Sequence, residues 1–312
     1  MTNRRTVLRG ITAVAGGTAL AGAAAGTAAG QGRGPRTYVL VHGTNSAGSF
    51  WAAIARELTL RGHRVIAVDQ PLHGTEAYLP AAYQTQDLNA LAVEPTPLGR
   101  LGLDDFERRV TRVVRRAAGD GRVVLVGHSM GGVSVSRVAS AVPHLLEHLV
   151  YMAAYCPSPA LPTIADCMGA PEAADAVVPD KLVVGDPAVL GVVRLNLRTG
   201  DAKALALFKE MMCADYPDAA FRRVLAGLQP DESDRVAYDR AVGEAATWGR
   251  VPRTYLRFGR DRLITPALQD RMVREADART PGNRFRVVDF PAASHIGPLD
   301  PEPVVQALLG VG

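Results

Sequence analysis

Residues 122–132 read Arg122-Val123-Val124-Leu125-Val126-Gly127-His128-Ser129-Met130-Gly131-Gly132. The run after Arg122 is apolar and mostly β-branched, the pattern of a buried strand, and residues 133–142 read as a helix stopped by Pro143. Between them stands a G-x-S-x-G spacing. Turning a strand into a helix over so few residues forces the central residue into a strained backbone conformation, so positions 127 and 131 must be small. Ser129 then stands clear of the sheet edge at a helix N-terminus, where partial positive charge favours a developing anion. That makes it a candidate nucleophile.

Working outward, strands are expected at 36–41, 64–69, 149–154, 253–258 and 285–290. Helices are expected at 50–61 and from Asp104, read as an N-cap, through Phe106, Val110, Val113 and Val114 on one face. Strands alternating with helices predict an α/β fold with a mostly parallel sheet flanked by helices. Residues 156–248 break this rhythm, with Ala202, Leu205, Phe208 and Met212 at helical spacing. They read as a helical lid inserted into a core made of residues 36–155 and 249–312. Residues 77–99 form a second, irregular excursion, expected as a loop beside the pocket. Open parallel sheets bind ligands outside the carboxyl ends of their strands, where both excursions emerge.

Serine needs a base to become a nucleophile. Of the seven histidines, His295 follows the last strand in Phe290-Pro291-Ala292-Ala293-Ser294-His295, at the ligand edge. His63, His144 and His148 sit before strand starts, at the opposite edge, while His42 and His73 lie in turns that suit a structural role. A carboxylate must orient the imidazole and stabilise its cation. Asp261, just after strand 253–258, is in place for that, whereas Asp289 lies within a strand and Asp300 beyond the loop. The order Ser129, Asp261, His295 predicts a nucleophile–acid–base set. The expected oxyanion donors are the backbone N–H groups of Thr44 and Met130, with Gly43 allowing close approach.

These residues resemble the α/β-hydrolase superfamily, and more narrowly the group of plant methyl-salicylate and methyl-jasmonate esterases and hydroxynitrile lyases. The resemblance spans most of residues 36–310. It includes His42-Gly43 with Trp51, Asp69-Gln70-Pro71-Leu72-His73-Gly74, the Ser129 turn, Leu225-Ala226-Gly227-Leu228-Gln229-Pro230, Asp261 with Pro266 and Gln269, and Ser294-His295. It implies lid helices over an apolar pocket above Ser129. Lyases of this group carry Thr and Lys where this chain has Gly43 and Ile296, so the resemblance is of the hydrolase type. Ser46 and Ser49 stand where the group often has His and Trp, and the 77–99 excursion is longer than in the plant proteins. Both departures are expected near the pocket. Gly43, His128, Phe208 and Met212 are its candidate walls, with Met211 and Tyr216 beside them.

Composition narrows the partners. The 312 residues carry a formal charge of +4, but Arg4, Arg5 and Arg9 supply three of those charges within residues 1–29, which hold no acid. Only Lys181, Lys203 and Lys209 among the 35 basic residues are lysines, a bias of GC-rich coding rather than of an anionic ligand. At 5% aromatic content no base-stacking surface is expected, so no nucleic-acid partner. Arg4-Arg5 before a mild apolar stretch, ending in Thr27-Ala28-Ala29, reads as a twin-arginine export signal over residues 1–29. It implies passage through the twin-arginine translocation machinery, cleavage near Ala29, no stable membrane anchor afterwards and an extracytoplasmic, secreted bacterial protein. Three cysteines are too few for a disulfide framework, though Cys156 and Cys167 could pair. No metal-ligand spacing and no G-x-G-x-x-G follow from the sequence, so no metal or cofactor is expected. The expected enzyme is an exported serine carboxylesterase taking a small-molecule, apolar ester. Lactone or amide hydrolysis by the same set, and ligand binding without turnover, remain open alternatives.

Overall fold

The computed structural model describes residues 34–311, and a compact unit begins at Pro35. The export signal expected over residues 1–29 lies outside the described residues. Eight strands form two sheets: β1 (Thr37–Val41), β2 (Arg64–Val68), β3 (Val123–Ser129), β4 (Leu146–Ala154), β5 (Val192–Arg194), β6 (Asp231–Ser233), β7 (Arg253–Phe258) and β8 (Arg286–Phe290). Six of them make one sheet in the order β2-β1-β3-β4-β7-β8, every pair parallel. β5 and β6 pair separately, antiparallel.

β1 and the first four residues of β3 are buried and almost wholly apolar because both sheet faces are covered. Side chains alternate between faces with period two. Val39, Val41, Val123 and Leu125 pack on one face with α2 (Leu103–Ala117), α3 (Gly131–Ala141) and α6 (Pro266–Arg279). Tyr38, Leu40, Val124 and Val126 pack on the other with α1 (Ala52–Leu60) and α7 (Glu302–Leu309). α4 (Ala202–Cys213) and α5 (Asp218–Ala226) belong to the long connection from β4 to β7, with a third apolar cluster around Phe208, Met211, Met212 and Phe221.

Several expectations need correction. Helix α2 starts one residue before Asp104, with Gly102 at its N-cap position. Leu103 N–H donates to the Asp239 carboxylate and Gly102 N–H to Asp105, so Asp104 is left in the first turn to pair with Arg137. β4 begins at Leu146, which puts His148 inside the strand, bonded to Thr254 of β7 at 2.9 Å. The 156–248 connection is not purely helical, since it contains β5 and β6. The 77–99 excursion holds short helices at Ala81–Thr85 and Leu88–Leu91 rather than only loop. Buried Arg194 of β5 clamps Asp231 of β6 through two bonds (2.6 and 2.8 Å) and donates to the carbonyls of Leu91 and Glu94 (2.6 and 2.8 Å). That one guanidinium explains why the excursion packs against β5 and β6. Its charge is tolerable in the interior only because its donors are so fully matched.

Candidate active site

Ser129 ends β3 with φ of +53°, in the left-handed region that a side chain seldom adopts. The turn around it has no spare room. A Cβ on Gly127 would lie 2.7 Å from the carbonyl oxygen of Gly131, and one on Gly131 would lie 2.6 Å from that of Val41. The strained turn therefore depends on both glycines, as expected from the spacing. Met130 follows at the N-cap position of α3, so its N–H belongs to the first turn of that helix, where backbone donors lack intrahelical partners.

The three residues selected from the sequence meet. The Ser129 hydroxyl donates to His295 Nε2 at 3.0 Å, and His295 Nδ1–H donates to Asp261 Oδ2 at 2.8 Å. All are nearly inaccessible, at 2%, 1% and 1% exposure. The other Asp261 oxygen accepts from the N–H groups of Leu263 and Ile264, both at 2.8 Å. Three donors thus fix the carboxylate in its place facing His295. Asp261 thus makes no surface pair with Arg260 or Arg262; Arg262 faces Glu210 instead. Asp289 is largely exposed beside Arg257, and Asp300 accepts from Glu302 N–H, so neither serves His295.

Two other histidines hold the surroundings. His128 stacks on Phe50 at 4.5 Å and donates from Nε2 to the His295 carbonyl at 2.9 Å. Burial, with His295 alongside, pushes its pKa well below the usual range, so the ring stays neutral. His42 donates from Nδ1 to the Gly43 carbonyl at 2.8 Å and accepts Gln70 N–H at Nε2. One donor and one acceptor describe a neutral imidazole, and burial lowers its pKa to about 4. A Cβ on Gly43 would sit 2.6 Å from Ser129 Cβ, so the first loop lies directly against the nucleophile.

Ser129 opens into a cavity of about 910 Å³ whose wall includes Gly43, Thr44, His128, Met130, Phe208, Met211, Met212 and Tyr216. Every pocket residue selected from the sequence is therefore in the wall, and so are Ser46 and Ser49. The 77–99 excursion is not, which corrects its expected place beside the pocket: Arg194 draws it behind β5 and β6. Residues of the long connection also grip the His295 loop. Ile296 N–H donates to the Met212 carbonyl at 3.1 Å, Tyr216 OH to Gly297 at 3.2 Å, and Ser294 to Asp215. Among the described residues, no group of three or more His, Cys, Asp or Glu could hold a metal ion. Cys156, Cys167 and Cys213 are all free thiols, so Cys156 and Cys167 are not bridged.

The alpha/beta hydrolase family profile matches residues 38–307. The chain belongs to the alpha/beta hydrolase family. Within it, the chain is similar to Esterase PIR7B of Oryza sativa subsp. japonica, 26% identical over 258 residues, covering 78% of this chain and 84% of the relative. It is similar also to a pyrethroid hydrolase of Sphingobium wenxiniae, 26% identical over 244 residues, covering 76% and 75%. The solved structure of polyneuridine aldehyde esterase superposes with a TM-score of 0.65 at 21% identity, over 88% of this chain and 98% of that one, which speaks for a shared fold.

Sequence reasoning did not find Asn45, Asp215 or Glu232. Asn45 and Glu232 stand in the cavity wall, and Glu232 is a fully enclosed carboxylate. No local pattern flags an acid in Gln229-Pro230-Asp231-Glu232-Ser233 as buried, because its partners lie far away in sequence.

Proposed function

We propose that this alpha/beta hydrolase is an exported serine carboxylesterase acting on small to medium, neutral, apolar esters. The observation that carries the reading is the Ser129 hydroxyl bonded to His295 Nε2 at 3.0 Å at the edge of a large cavity walled mainly by apolar side chains. The names of its relatives, esterase and pyrethroid hydrolase, support ester hydrolysis. Arg4-Arg5 and the apolar stretch behind it support export.

Ser129 Oγ attacks the ester carbonyl while His295 Nε2 takes its proton, and Asp261 stabilises the imidazolium formed. The N–H groups of Thr44 and Met130 receive the carbonyl oxygen as it becomes an oxyanion; losing one such donor typically costs about 10²–10³ in rate. Collapse expels the alcohol, protonated by His295, and leaves an acyl group on Ser129. Water deprotonated by the same histidine then attacks the acyl carbon and frees the acid. Residues 156–248 act as the lid, and Phe208 and Met212 meet the apolar part of the substrate. Burial of that part favours neutral, hydrocarbon-rich groups.

Turnover on 4-nitrophenyl esters of increasing acyl length, with a matched lactone and anilide, tests the reading. Ester hydrolysis that disappears in Ser129→Ala supports it, and a lactone preference above tenfold would overturn the ester assignment. For export, activity should fractionate outside the cytoplasm and stay inside it when Arg4 and Arg5 are both replaced by Lys. Equal export of that variant would contradict the twin-arginine route.

A further inference from the structure

The loop bearing Thr44 is held from both sides, and one of the holding groups comes from the β4–β7 connection. A peptide unit is planar, so fixing its carbonyl or N–H fixes both. The unit joining Gly43 to Thr44 carries the Thr44 N–H, and His42 Nδ1 pins its carbonyl at 2.8 Å. The next unit carries the Asn45 N–H, which donates to Glu232 Oε2 at 2.9 Å. Asn45 itself has φ of +56° and is stitched further to the same segment. Its side-chain amide donates to the carbonyls of Gln229 (3.1 Å) and Pro230 (3.0 Å), and its carbonyl accepts Gln229 N–H at 2.8 Å.

Glu232 is only 3% exposed. Its second oxygen accepts Ser233 N–H at 2.9 Å, and Oε2 is shared with His73 Nε2 at 3.1 Å. His73 Nδ1 faces the Pro71 carbonyl at 2.8 Å, so both ring nitrogens meet acceptors and the ring is held as a cation opposite the carboxylate. Burial alone would lower the His73 pKa, but Glu232 outweighs it and raises it. Burial likewise opposes ionisation of Glu232, and His73 with the Asn45 N–H brings its pKa below the usual range. His73 of the 69–74 segment and Glu232, two residues beyond the 225–230 segment, thus come together as a buried brace. A buried ion pair is a poor source of net stability, so its cost invites a reason other than folding.

We propose that Glu232 is a positioning residue for oxyanion binding, holding the Thr44–Asn45 peptide so that the Thr44 N–H points where the oxyanion forms. This rests on the Ser129 reading above. Donors aimed in advance favour the transition state over the ground state, so the brace acts on kcat rather than on KM.

The test compares the full-length protein with Glu232→Ala and Glu232→Gln on 4-nitrophenyl butyrate, and with a trifluoromethyl ketone that forms an oxyanion adduct on an active serine. Glu232→Ala should lower kcat at least tenfold with KM within twofold, and weaken the ketone by a similar factor. Glu232→Gln, which can still accept the Asn45 N–H, should recover most of the loss. If Glu232→Ala does not fold, Glu232→Asp carries the test: it keeps a carboxylate for His73 but is one methylene too short to reach both His73 and the Asn45 N–H, and should lower kcat at least fivefold at unchanged KM. Unchanged kcat in folded Glu232→Ala or Glu232→Asp, or a loss confined to KM, overturns the proposal. Fluorophosphonate labelling of the unaltered protein separates the two claims. Labelled protein with an indifferent Glu232 sinks only the brace, whereas unlabelled protein sinks the Ser129 reading itself.

Discussion

His128 Nε2 donates to the backbone carbonyl of His295 at 2.9 Å, so the residue before the nucleophile fixes the backbone of the residue that the nucleophile's hydroxyl reaches. The two rings lie 4.9 Å apart, and both residues are buried. Position 128 of the G-x-S-x-G turn is therefore no spacer. It ties the end of β3 to the loop after β8 across the sheet edge.

Replacing His128 by Phe would keep the stack on Phe50 and remove that bond. An unsatisfied buried carbonyl costs about 1–3 kcal/mol, some of it relieved by movement of the His295 loop. The expected result is a kcat lowered about tenfold, with a smaller change in KM, measured by steady-state ester hydrolysis. A variant with wild-type kcat would show that the His295 loop is held adequately by Met212, Asp215 and Tyr216.

Gly43→Ala puts a methyl group 2.6 Å from Ser129 Cβ, and neither atom sits on a flexible chain end. The loop must retreat and take the Thr44 N–H with it. Misplacing one oxyanion donor should lower kcat by about 10². The thermal midpoint should change far less, which differential scanning fluorimetry beside kinetics would separate.

The buried histidines divide by sign. Burial lowers His42 and His148 to about 4. The unfolded chain binds those protons near 6.5 while the folded one refuses them, so stability falls as pH drops from about 6.5 towards 4, on the order of 3 kcal/mol for His42 alone. His73 is raised by Glu232, so its contribution is full below about 6.5 and fades as pH rises through its folded value. Urea midpoints across pH should show His148→Gln flattening the acid decline. His73→Gln should cost more stability at pH 5.5 than at pH 9, and an equal cost at both would contradict the charged pair.

All three thiols are buried, and burial pushes each pKa up to about 12. Native protein should resist a thiol-specific disulfide reagent over hours, and its thermal midpoint should be unchanged by reductant. Rapid modification or a midpoint lowered by reductant would point to accessible or bridged cysteines.

What could be read from the sequence was whatever is local. The Ser129 turn, His295 and Asp261 each follow a recognisable strand, so order along the chain was enough to bring them to one edge. Cavity residues such as Phe208 and Met212 were reachable through helical spacing. Asp104 misled because an acid in a first turn resembles a cap, while the cap role fell to Asp105 and distant Asp239. Glu232 was invisible for a related reason: its significance lies in His73 and Asn45, which only folding brings near. Likewise the 77–99 excursion was drawn away from the pocket by Arg194, a residue a hundred positions later.

The measurement that bears most directly on the account is labelling of purified protein with a fluorophosphonate, followed by mass spectrometry of the adducted peptide. One phosphonyl group per chain is expected, on Ser129, lost in Ser129→Ala and slowed at least a hundredfold in His295→Ala. Absence of labelling, or labelling that survives Ser129→Ala, would contradict it.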